Sequence, residues 1–145
     1  MNRNMKKFMM YALLIPAMAV SFWSCSNSKT NVQQLEGKWN ITEVNGEAIS
    51  TQENTPFMEF NMAEKKIHGN AGCNIFNTSL ETDANDISAL KIAQGMSTMM
   101  ACPDMETESK ILQAMTTVRA VKAGTDANQM LLVDEAGKTV FVLSK

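Results

Sequence analysis

The stretch Leu35-Glu36-Gly37-Lys38-Trp39-Asn40-Ile41-Thr42 alternates inward and outward positions and is stopped by Asn45-Gly46. Leu35, Trp39 and Ile41 share one face at a period of two, the pattern of a half-buried strand. Asn and Gly both tolerate positive φ, so Asn45-Gly46 predicts a tight hairpin turn. The folded part of the chain therefore opens as antiparallel β structure.

Working outward, Pro56 opens a second strand in which Met58, Phe60 and Met62 alternate with Phe57, Glu59 and Asn61. Ala63-Glu64-Lys65-Lys66 turns the chain into a third strand around Ile67 and His68. A fourth runs from Cys73 through Phe76 to Leu80, and Asp83-Ala84-Asn85-Asp86 punctuates it. Ile87 to Ile92 and Ser97 to Ala101 read as further short strands. A helix follows, with Asp104 as its N-cap and Ile111, Leu112, Met115 and Val118 on one face. Glu106 and Glu108 near its start, and Arg119 and Lys122 near its end, suit the helix dipole; Gly124 is the expected stop. Met130 to Val133, the turn Asp134-Glu135-Ala136-Gly137, and Thr139 to Leu143 close the chain. Strands, one helix, then strands joined by short turns predict an α+β domain. Its sheet is mostly antiparallel and curved or barrel-like, with the helix packed on it.

Ahead of this domain the sequence carries an address. Arg3, Lys6 and Lys7 precede an apolar stretch, Phe8 to Val20, and a short segment ends at Ser24-Cys25. That order of charge, apolar core and small residue is a secretory signal peptide over residues 1–24. The core is shorter than the roughly twenty residues of a spanning helix, and Pro16 interrupts it. Ser24 before Cys25 points to lipidation of Cys25, although Phe22 and Trp23 depart from the usual aliphatic and small residues of a bacterial lipoprotein signal. An ordinary cleaved signal is the other reading. Residues 26–31 form a polar leash, and residues 32–145 the domain. Two or three acyl chains, at about 0.8 kcal/mol per buried methylene, hold such a protein on a membrane. The leash has no acidic residue near Cys25, so the expected address is the periplasmic face of the outer membrane.

Charge narrows the partners. Losing Arg3, Lys6 and Lys7 from the 13 basic residues leaves 10 against 15 acidic ones. With no basic run, nucleic acid is not an expected partner. The remaining length suits one domain, expected as a monomer.

Cys73 and Cys102 are candidates for a disulfide in an exported domain, closing a loop worth about 3 to 4 kcal/mol. Two separate buried thiols are the alternative. A soft-metal site from Met99, Met100, Cys102, Cys73 and His68 suits monovalent copper or zinc chemically. Against it stand the absence of CxxC and of a second histidine, and the spread of methionine through the elements as core filling. Gly137-Lys138-Thr139 resembles the end of a phosphate loop but lacks its glycines and lies in a hairpin. His68 lies in a strand, where it faces solvent or satisfies a local hydrogen bond, and Glu106 and Glu108 read as helix-start charges. No catalytic set, metal or cofactor is expected.

The same residues carry a family resemblance. Leu35-x-Gly37-x-Trp39, Asn45-Gly46, Pro56 with its Phe60 strand, Gly69-x-Ala71-Gly72-Cys73-Asn74-x-Phe76 and Thr98-Met99-Met100-Ala101-Cys102 resemble the META domain of the HslJ-like heat-inducible bacterial proteins. The resemblance spans about residues 32 to 144, and its most specific positions are Gly72, Cys73, Asn74, Phe76, Thr98, Met100, Ala101 and Cys102. Ile75 departs from it, since many members carry a basic residue there. The resemblance implies a compact antiparallel β fold with a packed helix, secretion or lipid anchoring, no known catalytic site, and a role in envelope stress or antibiotic tolerance. Three functions remain open on the sequence. The first is a non-enzymatic envelope lipoprotein binding a protein or envelope component. The second is a small-molecule carrier with an apolar cavity, and the third a thiol redox or soft-metal protein using Cys73 and Cys102.

Overall fold

In the computed structural model, which describes residues 29–50 and 54–145, Asn45 and Gly46 take φ values of 51° and 82°. Two positive φ angles in succession match the twist of flanking strands. The turn folds β1 (Gly37–Val44) onto the short β2 (Glu47–Ala48). Trp39 and Ile41 face inward from β1, as their spacing predicts. Leu35 is buried beside them but from a different element. It ends a 3-10 turn, Val32–Leu35, and its carbonyl accepts from Trp39 Nε1 at 2.8 Å.

The remaining elements are β3 (Phe57–Asn61), β4 (Lys66–Asn70), β5 (Ile75–Thr82), β6 (Leu90–Ile92), β7 (Met96–Ser97), α1 (Met105–Met115), β8 (Ala120–Ala123), β9 (Gln129–Val133) and β10 (Thr139–Ser144). The main path of the sheet runs β6-β5-β4-β3-β1-β10-β9-β8, with β2 on β1 and β7 on β5. Every ladder is antiparallel. The fold is α+β: a mostly antiparallel sheet with one α-helix among the described residues. The two ends of the path meet at the bridge Ala89–Ala120. There Leu90 N donates to Arg119 O and Val121 N to Ser88 O, each at 2.9 Å. One such seam is not a ladder, so the sheet returns on itself without becoming a closed barrel.

Met58, Phe60, Ile67, Phe76, Leu132, Phe141 and Leu143 fill the inner face of the sheet, and Ile111 and Met115 of α1 join them; all are fully buried. Each such side chain contributes roughly 1.5–3 kcal/mol through removal from water. Gly69 of β4 belongs to this packing. A Cβ there would strike the Phe57 carbonyl and the Phe76 ring, so the aromatic packs directly on backbone.

Several boundaries differ from the sequence expectation. The helix stops at Met115 and not near Gly124. Thr116 and Thr117 turn their hydroxyls onto the Gln113 and Ala114 carbonyls at 2.9 and 2.7 Å, satisfying groups the next helical turn would have used. Val118 stays buried beyond the end, while Lys122 lies on β8 opposite Leu131. Gly124 closes the β8–β9 hairpin instead of a helix, its N–H donating to Gln129 O. The strand expected over Ile87 to Ile92 begins at Leu90, and that expected over Ser97 to Ala101 is reduced to Met96–Ser97.

Candidate functional site

The shortening of β7 has a local cause. Asn74 is buried at the start of β5, and its side chain takes over the bonds of the following loop. Its Oδ1 accepts from Thr98 Oγ1 and from Met100 N, both at 2.7 Å. Its Nδ2 donates to Met100 O at 3.1 Å. One amide thus imitates a strand partner for Met100, so the loop needs no ladder.

The same Nδ2 donates to Glu108 Oε1 at 2.8 Å, and the Asn74 backbone N–H donates to Glu108 Oε2 at 2.8 Å. Glu108 lies in the first turn of α1, as expected, but it is also a buried carboxylate bonded to Asn74, which its reading as a helix-start charge did not include. Glu106, the other first-turn acid, is exposed and pairs with Lys110 at 3.1 Å. Asp104 caps α1, accepting from Thr107 N at 3.1 Å and Thr107 Oγ1 at 2.8 Å. These bonds, the hydroxyl first, hold the Asp104 carboxyl below the usual carboxylate range. Lys110 also meets Glu47 at 2.8 Å, tying the first hairpin to the helix. That bond lowers the Glu47 carboxyl and raises the Lys110 ammonium.

Cys73 and Cys102 are joined as a disulfide, with Cα atoms 6.1 Å apart, within the usual span of such bridges. Gly72 precedes it at φ +116°, a conformation L side chains rarely adopt, and donates its N–H to Asn70 Oδ1 at 2.7 Å. Phe76 is in the core. Of the eight positions that carry the resemblance, Gly72, Cys73, Asn74, Thr98, Met100 and Cys102 thus form one staple holding β5, the loop and the start of α1 together. Ala101 is exposed within that loop. Cys25 lies outside the described residues.

His68 is not near this staple chemically. Its Nδ1 lies 2.9 Å from Asn77 Oδ1 on the exposed face. It borders an open cleft of about 390 Å³ lined also by Glu36, Glu59, Glu64 and Lys66. Among the described residues no group of three or more His, Cys, Asp or Glu is placed to hold a metal. A thiolate site on Cys73 and Cys102 is likewise closed, because each sulfur is bonded to the other.

Methionine divides into two sets. Met58, Met62, Met115 and Met130 are core residues, as expected. Met96, Met99, Met100 and Met105 are exposed, all within the staple's loop and its edges, so the core-filling expectation fails for them. Sequence reading also missed the partnership of Glu108 with Asn74. The available signal was a carboxylate one turn beyond the N-cap on the same helix face as Ile111.

The META domain family matches residues 31–145. Among solved structures, an NMR structure from Burkholderia xenovorans has 22% identity and a TM-score of 0.58, covering 77% of this chain and 83% of that one. A second NMR structure has 21% identity and a TM-score of 0.56, covering 81% and 95%. A crystal structure of a DUF4847 family protein from Bacteroides vulgatus has 15% identity and a TM-score of 0.55, covering 76% and 92%. At such identities these likenesses concern the fold alone. No curated protein sequence matches the chain.

Proposed function

The chain belongs to the META domain family, and from that premise we propose that it is a non-enzymatic binding domain of the bacterial envelope. In this reading residues 1–24 direct export, lipid on Cys25 anchors the protein at the periplasmic face of the outer membrane, and the domain acts as a monomer. Its role is to bind a protein or envelope component under envelope stress or antibiotic challenge.

The observation that carries the reading is what the signature residues do. Asn74, Thr98, Met100 and Glu108 satisfy one another, and the cysteines satisfy each other. A nucleophile or general base must also reach a substrate, and Asn74 and Glu108 are buried. In this reading the domain acts through its surface. The disulfide also suits an oxidising compartment. Among the described residues no helix is long and apolar enough to cross a membrane. A carrier is disfavoured, because large side chains occupy the inner face of the sheet where a ligand would lie.

Four measurements test this. Mass spectrometry of the membrane-extracted protein should find acyl chains on Cys25, and Cys25→Ala should move the protein to the soluble fraction. Deletion should sensitise cells to heat or envelope-targeting drugs, and crosslinking in intact cells should capture a discrete envelope partner. Unchanged growth under those stresses, together with no crosslinked partner, would remove the reading.

A further inference from the structure

We propose that Met96, Met99, Met100 and Met105 form a thioether site for a soft monovalent cation, Cu(I) or its analogue Ag(I). The proposal goes beyond partner binding and does not depend on it.

The first argument is the partition of methionine. Met96 is 83% exposed, Met99 97%, Met100 56% and Met105 38%, whereas Met58, Met62, Met115 and Met130 are each under 9%. The buried set is scattered from β3 to β9. The exposed set lies wholly between residues 96 and 105. Scattered exposed apolar residues need no explanation, but a concentration of one type does.

The second is that their backbone is fixed while their side chains are not. Met96 pairs with Asn77 on β5. Thr98 N donates to Ile75 O at 3.0 Å. Met100 is held at both its N–H and its carbonyl by Asn74. Cys102 is covalently tied to Cys73, and Met105 opens α1. Met105 Sδ lies 3.5 Å from Cys102 N, so this thioether turns back over the loop and not away from it. Four sulfur donors are thus attached to one rigid frame, and binding has only side-chain rotamers left to order.

The third is chemical. A thioether is distinguished by its softness, which selects Cu(I) over hard divalent ions. It has no proton to lose, and it does not form disulfides as a thiol would in an oxidising compartment. Among the described residues both cysteines are bonded to each other, leaving the thioethers as the loop's sulfur donors.

The test uses the purified protein with its disulfide intact, methionine methyl groups labelled with carbon-13, and Ag(I) in chloride-free buffer. The Met96, Met99, Met100 and Met105 methyl resonances should move together and saturate at one equivalent, while those of Met58, Met62, Met115 and Met130 hold still. Replacing the four by leucine keeps the apolar surface and removes the sulfur. This variant should melt as the parent does and bind Ag(I) at least tenfold more weakly, with the same loss for Cu(I) in a chelator competition. Undiminished binding by the leucine variant would overturn the proposal. So would four independent, non-saturating shifts, or none at stoichiometric metal, since a purely apolar surface gives those results. Should the quadruple variant fail to fold, single leucine variants decide, each expected to weaken binding without changing the melt.

Discussion

Asn74→Ala should be among the most destabilising single substitutions in the domain. It deletes four side-chain hydrogen bonds: from Thr98 Oγ1, from Met100 N, to Met100 O and to Glu108 Oε1. At about 1 kcal/mol net each, these account for roughly 4 kcal/mol. Glu108 remains buried with the Asn74 backbone N–H as its surviving partner. An under-satisfied buried acceptor adds about 1–2 kcal/mol, so the expected loss is about 5–6 kcal/mol. A typical domain has only about 5–15 kcal/mol in total, so the variant should be partly unfolded at room temperature or close to it. The assay is urea unfolding followed by Trp39 fluorescence, with the disulfide intact in both proteins. Glu108→Ala supplies the second arm. Because Asn74 and Glu108 serve one network, the double variant should be less destabilised than the two singles added, by about 0.5–3 kcal/mol. A loss below about 1 kcal/mol for Asn74→Ala, or strict additivity in the cycle, would refute the staple as an energetic unit.

Three further outcomes follow from the same geometry. Removing the bridge with Cys73→Ser and Cys102→Ser should cost about 3.5 kcal/mol on the chain-entropy estimate for its 29-residue separation, read as a lower urea midpoint. Gly69→Ala should cost about 1–3 kcal/mol, since its Cβ meets the Phe57 carbonyl and Phe76 ring, and thermal melts check it. The Asp104 carboxyl is depressed on folding, so its stabilisation is present above the ordinary carboxylate pKa and lost as pH falls through the folded value. Asp104→Ala should therefore lower the melting temperature at about pH 7 and make little difference at about pH 2.

What the sequence disclosed depended on how local the physics was. Asn45-Gly46 carries its turn in its own φ preferences, and the alternation of Met58, Phe60 and Met62 carries its own sheet face. Asp104 announces a cap because its partner, Thr107, is three residues away. The partner of Glu108 could not be read locally because it lies 34 residues earlier, outside the helix. β8 was hidden for a related reason. Ala120-Val121-Lys122-Ala123 has no strong pattern of its own, and its state is decided by the ladder with β9. The exposed methionines misled for a different reason. Residue type alone reads as core, and only the frame set by Asn74 and the disulfide keeps them outside.

The seam at Ala89–Ala120 bears on how any partner can approach. The terminal strands of a sheet usually offer unpaired backbone, a template on which a foreign peptide can add itself as a new strand. Here β6 and β8 turn such groups toward each other. Thr30 Oγ1 also accepts from Ala123 N at 2.9 Å, and Val32 N donates to Ile87 O at 2.8 Å, so the incoming chain runs along the join. A peptide seeking to extend the sheet at that place must first displace the protein's own N-terminal segment, the part nearest its expected anchor. Recognition there falls to side chains, and self-association by strand addition is blocked at that join.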